Sequence, residues 1–302
     1  MRIKYLVAIV LIGFLGCSSS SVPNERLSGE FSVSATRKVR FTLGNLQYQV
    51  NTGTWNFAKN QSDIVGQNNY LNKNSNYNGN IDLFTPFDLK GNTFINSDKF
   101  RILRREEWEY LLKERENANS LFGMGYVNNQ RGLFLLPDNW NFELPFYFGY
   151  AEYMGARGDY GYIYKNRFTL EEFSKYEDKG VVFLPFAGSK DITYSFPSDA
   201  TLASMNIKNG NDFIEKENEI CKFFTLLEEY YSEVYGYYIM IPDGLNKEDL
   251  NFFYSFLYNS PYLRIREKKV DFKHYDGVTE GSQGNLFLKK CACAVRLVQD
   301  VK

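Results

Sequence analysis

Residues 31–50 read FSVSATRKVRFTLGNLQYQV. Val39, Phe41 and Leu43 alternate with Arg40 and Thr42, the period of two that marks a half-buried strand. Thr52-Gly53 is a turn, and Thr54-Trp55-Asn56-Phe57 begins a second strand, so the stretch predicts a hairpin or meander. The same alternation recurs along the chain. Gly123 to Val127 and Gly132 to Leu136 flank Asn128-Asn129-Gln130, a predicted hairpin closed by Pro137-Asp138-Asn139-Trp140. Residues 181–186 (VVFLPF) read as a buried strand ended by Ala187-Gly188. The tail alternates at Leu263-Arg264-Ile265-Arg266, at Val270-Asp271-Phe272, and from Cys291 to Val298.

Helices are few. Between Arg104 and Asn117, Trp108, Leu111, Leu112 and Arg115 fall at i, i+3, i+4 and i+7. Glu106 and Glu107 sit in the first turn, where they suit the helix dipole. This helix is expected to cover one face of a sheet. Thr169-Leu170-Glu171-Glu172 forms a capping box that opens a short helix to Tyr176. Residues 220–241 stay open: Ile220, Phe223, Phe224, Leu227, Tyr231 and Val234 make a helical stripe, yet residues 234–241 are strongly β-prone. The fold class is α+β: twisted antiparallel sheets with one main helix and long loops.

Composition narrows the function. In 302 residues, 44% are hydrophobic, which supports a packed core. The formal net charge of -1 leaves no basic excess for a polyanion, so no nucleic-acid partner is expected. Aromatic residues reach 17%, which favours strands. His274 is the one histidine, which excludes multi-His metal sites and leaves little room for Ser-His-Asp catalysis. No cofactor and no metal are implied.

Met1 to Cys17 reads MRIKYLVAIVLIGFLGC. Arg2 and Lys4 precede an apolar run, Leu6 to Leu15, that is shorter than the ~20 residues a membrane span needs. Leu15-Gly16-Cys17 resembles the lipobox of bacterial lipoproteins, which implies cleavage before Cys17 and lipidation of its thiol. Residues 1–17 are then signal peptide and lipobox, 18–30 a flexible polar tether, and 31–302 one domain. The expected partner is the membrane, reached through the N-terminal lipid anchor. The expected location is the bacterial cell envelope at the outer membrane, with the face left open.

With Cys17 lipidated, Cys221, Cys291 and Cys293 remain. The envelope permits disulfides. Cys291 and Cys293 lie two apart on a strand, at the far limit for bridging each other. Cys221 joined to one of them is the favoured bond; the competing reading is three buried thiols packed as small hydrophobes.

Residues 141–167 are aromatic and glycine-rich and lack a sustained period. Tyr offers a flat apolar face plus a hydroxyl, which suits a sugar ring or a partner side chain. Tyr147, Tyr150, Tyr160 and Tyr162 are the ligand-binding candidates in a segment that also holds Phe146, Phe148, Tyr153 and Tyr164. The competing reading folds these rings inward as a satellite core. Arg157-Gly158-Asp159 is a weak tripeptide signal. Residues 61–80, with QNNYLNKNSNYNGN, are Asn-rich and predict a surface loop.

One ordered set of fragments points further. It runs from Leu43-Gly44-Asn45-Leu46-Gln47-Tyr48 and Thr54-Trp55-Asn56-Phe57-Ala58 through Ile81-Asp82-Leu83-Phe84. Phe100-Arg101-Ile102-Leu103 with Glu106-Glu107-Trp108 follows, then Gly132 to Asp138 with Trp140, Gly180 to Pro185, and Ala294 to Val298. The set resembles the Fibrobacter-type major paralogous domain of envelope lipoproteins. That family is similar to the C-type-lectin-like fold, which also includes formylglycine-generating enzymes. The resemblance implies two strands within 220–241, joined by a loop from Glu228 to Glu233. It implies a non-enzymatic domain that recognises a glycan or protein. The alternatives are an enzyme of the formylglycine-generating kind, with Cys291 and Cys293 near where that group binds copper, or a structural subunit of a surface assembly.

Overall fold

The computed structural model describes residues 26–66, 77–85, 88–89, 92, 94–95, 99–154, 161–195, 225–231, 236–240, 262–273, 278–280 and 286–302. Over these residues the chain is mostly β-sheet with two short α-helices, an α+β arrangement. Leu27–Ser32, Lys38–Thr42, Leu297–Asp300 and Arg101–Ile102 form one four-stranded sheet in that order. It joins the two ends of the described chain. Asn166–Phe168, Phe122–Val127, Gln130–Leu135 and Val182–Pro185 form a second.

The largest sheet runs Thr225–Tyr231, Ser189–Ser195, Leu286–Ala294, Gly236–Ile239, Tyr262–Arg266, Lys269–Lys273. Thr54–Phe57, Leu46–Gln49 and Asn80–Ile81 form a three-stranded meander. Leu46 to Gln49 pairs antiparallel with Thr54 to Phe57, as the sequence predicts. The second expected hairpin also forms, as Phe122–Val127 with Gln130–Leu135, and Gln130 belongs to the strand and not to the turn. Val127 pairs with Gln130, so Asn128 and Asn129 alone make the turn, at φ 48° and 66°. Two left-handed residues in a two-residue loop match the twist of the flanking strands, and Asn tolerates that backbone.

Helix Leu170–Glu177 carries the expected capping box: Thr169 Oγ1 accepts from the Glu172 amide at 3.1 Å, and the Glu172 carboxylate accepts from the Thr169 amide at 2.8 Å. The other helix is shorter than the 104–117 pattern predicts. Arg105–Glu109 is α-helical, Tyr110–Glu114 widens into a π turn, and Arg115 is extended. Arg115 leaves the stripe because its guanidinium is drawn to Asp138, 3.1 Å away, and to the Leu121 carbonyl, also at 3.1 Å. Trp108, Leu111 and Leu112 keep the inner face, with the Trp108 ring 5.8 Å from that of Phe41.

Four further expectations are corrected. The tether ends before Leu27, because Leu27–Ser32 is a strand whose Ser28 hydroxyl accepts from the Phe41 amide at 2.8 Å and whose Phe31 is fully buried. The Glu228 to Glu233 loop is displaced: Thr225–Tyr231 is strand through Tyr231, paired with Ser189–Ser195, which leaves only 232–235 before Gly236–Ile239. The strand read from Cys291 to Val298 is two strands, Leu286–Ala294 and Leu297–Asp300. The Asn-rich stretch does not begin as surface loop. Gln61 is buried, its amide donating to the Val181 carbonyl at 3.0 Å and accepting from the Phe183 amide at 2.7 Å.

Arg296 explains the break between the last two strands. It is fully buried, and its guanidinium donates to Asn45 Oδ1 at 2.9 Å, the Thr42 carbonyl at 3.1 Å, Gln61 Oε1 at 3.3 Å and the Phe183 carbonyl at 3.0 Å. Burial pulls this guanidinium down to about 10, against the opposing influence of Tyr238 and Glu177. One planar cation with donors in a fixed fork thereby ties together four segments distant in sequence.

Candidate functional site

Residues 141–154 and 161–167 are more ordered than the lack of period predicts. Glu152–Met154 and Gly161–Ile163 pair antiparallel as a small hairpin, and Asn166–Phe168 then lies parallel to Phe122–Val127. The segment is fixed to that strand at several points. The Gly149 amide donates to the Phe122 carbonyl at 2.9 Å, and the Met124 amide to the Gly149 carbonyl at 3.1 Å. The buried Asn166 amide clamps Tyr147 on both sides: it accepts from the Tyr147 N–H at 2.9 Å and donates to the Tyr147 carbonyl at 2.7 Å. Gly123 is required beneath, because a Cβ there would collide with the Tyr147 carbonyl and the Phe146 ring. Buried amides satisfied on both sides hold backbone in one place.

On this fixed backbone the rings divide. Phe146 turns inward against Phe134, with ring centroids 5.6 Å apart, and Tyr164 is only 3% exposed. Tyr147 is 56% exposed, Tyr150 43%, Tyr153 45% and Tyr162 37%. Phe142 and Phe148 are exposed as well and pack on each other at 5.7 Å. The satellite-core reading therefore holds for Phe146 and Tyr164, and the surface reading for the others.

Tyr153 and Tyr162 are direct cross-strand partners, so both project from one face of the hairpin, with centroids 5.4 Å apart. Glu152 and Ile163 pair on the opposite face, where Glu152 holds Lys165. Lys268, in the turn after Tyr262–Arg266, places its ammonium 4.4 Å from the Tyr153 ring centre and 5.4 Å from that of Tyr162. Cations are drawn to aromatic faces in this geometry. The two hairpins also join through the Ala151 amide, which donates to the Glu267 carbonyl at 3.0 Å. Burial raises the Tyr150 phenol above its ordinary value, reinforced by the charge of Asp271 and opposed by its hydrogen bond to the Val270 backbone. Burial followed by the charge of Glu267 raises Tyr164.

Asp271 itself is pushed up by burial. Hydrogen bonds from Arg264 and Lys269 and the charge of Arg266 outweigh that and bring it down to about 2. Asp138 has a structural role: burial opposes its ionisation, while the Ser32 amide and hydroxyl and Arg115 hold it below its ordinary value.

The sequence candidates thus fall into three groups. Tyr147, Tyr150 and Tyr162 are each exposed but make separate contacts: Tyr162 pairs with Tyr153, Tyr150 packs edge-on against Phe122, and Tyr147 lies beside Lys165. Cys17, Cys221, Tyr160 and the Arg157-Gly158-Asp159 tripeptide lie outside the described residues. Cys291 and Cys293 are buried in an apolar cluster with Tyr237, Ile239 and Val295. They share one face of their strand with Sγ atoms 3.5 Å apart, beyond bonding distance, so they are not bridged to each other, while the expected bond to Cys221 falls outside the described residues. Among the described residues no group of three or more His, Cys, Asp or Glu is placed to hold a metal.

The sequence candidates omit Lys268 and Asn166, and Tyr153 as a leading one. Tyr153 was readable from its place among the tyrosines once the hairpin register is known. Lys268 gave a local signal only as a turn cation in Arg266-Glu267-Lys268-Lys269, and its ring contacts are long-range. No family model, no curated protein and no solved structure matches this chain.

Proposed function

We propose that this protein is an envelope lipoprotein, lipidated at Cys17, whose C-type-lectin-like domain recognises a glycan or protein without acting on it chemically. The observation that carries this reading is the exposure of Tyr147, Tyr150, Tyr153 and Tyr162, with the Tyr147 backbone fixed by Asn166 and Gly149 tied to Phe122 and Met124. Rigid aromatic rings standing out of a fixed loop provide contact area at low entropic cost. Support for the anchor is the apolar run ending in Leu15-Gly16-Cys17. Support for the domain class is the ordered set of motifs. Trp108 packs on Phe41, and Arg296 ties the end of that set to its beginning at Thr42 and Asn45.

The anchor is tested by mass spectrometry of the mature chain. A diacylated N-terminus at Cys17 is expected, and Cys17→Ala should leave an uncleaved precursor or release the protein from membranes. A mature chain starting elsewhere without diacylglycerol contradicts the lipoprotein reading. Recognition is tested by screening the chain on a glycan array and by capture of envelope proteins. Ligands lost in Tyr162→Ala are expected. An array and a capture that both return nothing sensitive to these tyrosines would contradict the reading.

A further inference from the structure

Lys268 lies over the Tyr153–Tyr162 pair. Each carboxylate among the described residues of that neighbourhood is engaged elsewhere. Glu152 faces the opposite side of the hairpin and holds Lys165. Glu267 is buried and lies 3.8 Å from Arg131. Asp271 is shared by Arg264 at 2.8 Å, Arg266 at 2.5 Å and Lys269 at 3.0 Å. Lys268 is exposed, and its contacts are the faces of Tyr153 and Tyr162. The cation is thus held in place by the rings while its charge is not neutralised by a described carboxylate.

From this we infer that the Tyr153–Tyr162–Lys268 surface binds an acidic saccharide, of the uronic-acid class. A sugar ring packed against the exposed rim of the tyrosine pair brings its equatorial substituents toward the faces where the ammonium lies. A carboxylate on that sugar then meets the ammonium of Lys268 over those faces. Apolar stacking contributes binding area, and the charge contact sets which sugar is preferred. A neutral saccharide would find the rings but leave the lysine unanswered. The inference rests on the recognition reading above and narrows its ligand.

The test uses the full chain in detergent, titrated by calorimetry with three probes. They are an oligogalacturonate, the same oligosaccharide with its carboxyls reduced to hydroxymethyl groups, and a polyglutamate peptide of matching charge. The uronate should bind about three- to tenfold more tightly than its reduced counterpart at low salt, the range for a partly exposed charged contact. The preference should shrink as salt rises, because screening acts on exposed charges. Lys268→Met should abolish the preference, so that the uronate and its reduced counterpart bind with equal affinity. Tyr162→Ala should weaken both saccharides, with the melting temperature of each variant unchanged.

Equal affinity for the two saccharides, or a preference that survives Lys268→Met, overturns the inference. So does failure of both saccharides to bind, or a polyglutamate that binds as tightly as the uronate. In all four cases the wider recognition reading stands if the array or the capture returns another ligand that Tyr162→Ala weakens. It falls only if those return nothing.

Discussion

The rings around Phe134 and the rings around Tyr162 come from neighbouring stretches with similar composition, yet one set is core and the other surface. Phe134 lies on a strand paired on both sides, and its ring meets Phe146, Phe168, Phe173 and Phe183 within 4.7–5.8 Å. Helix Leu170–Glu177 covers that cluster with Phe173 and Tyr176. Tyr162 lies on a strand of a two-stranded hairpin, and its described ring contacts are Tyr153 and Lys268. What separates them is the layer above, not the side chain. A two-stranded hairpin is too small to bury its own faces, so its aromatics stay at the surface while hydrogen bonds to the larger sheet hold the backbone that precedes it.

That contrast can be broken at its strongest point first. Phe134→Ala and Trp108→Ala should each cost ~3–5 kcal/mol in urea melts, the usual loss for truncating a buried aromatic. A loss under ~1 kcal/mol at either position would mean the ring is not core. Arg296→Lys keeps the charge but loses the fork that reaches four acceptors, and should cost ~2–3 kcal/mol. Asn166→Ala frees the Tyr147 backbone and should cost ~1–3 kcal/mol. Hydrogen exchange should then quicken at the Tyr147 amide and leave the amides around Phe134 protected.

Acid sharpens the comparison at the hairpin that carries Lys268. The Asp271 carboxyl titrates near 2 in the folded chain against an ordinary 3.8. Its stabilising contribution is therefore complete above the ordinary value and lost as pH falls through about 2. Acid melts of Asp271→Asn should lack that part of the pH dependence. An unchanged slope between these values would show that the ion cluster adds nothing. The smallest effect belongs to the surface: Tyr153→Ala should change stability by no more than ~0.5 kcal/mol.

Much of the Phe134 side was legible in the sequence because its signals are local. Asn128-Asn129-Gln130 marks a turn, of which the structure uses only the two asparagines, Thr169 to Glu172 specifies a helix start, and VVFLPF specifies a buried strand. The Tyr162 side was legible only as composition. Its hairpin strands are three residues each, too short to show a period. Lys268 is brought over Tyr153 by the register of another sheet. Arg296 likewise meets Thr42, Asn45, Gln61 and Phe183 across the whole chain, a network no window of sequence contains. The early strand Leu27–Ser32 was hidden for the same reason. LSGEFS has little strand propensity of its own and is held by its pairing with Lys38–Thr42.

The central claim is that the exposed tyrosines serve a ligand and not the fold. It is tested most directly by measuring binding and urea stability together on Tyr162→Ala, with a ligand found on the array. Binding per folded molecule should fall by ~1–3 kcal/mol, the loss typical of an aromatic hot spot, while stability stays within ~0.5 kcal/mol of the parent chain. A stability loss above ~1 kcal/mol with unchanged binding per folded molecule would contradict the account and return Tyr162 to the core.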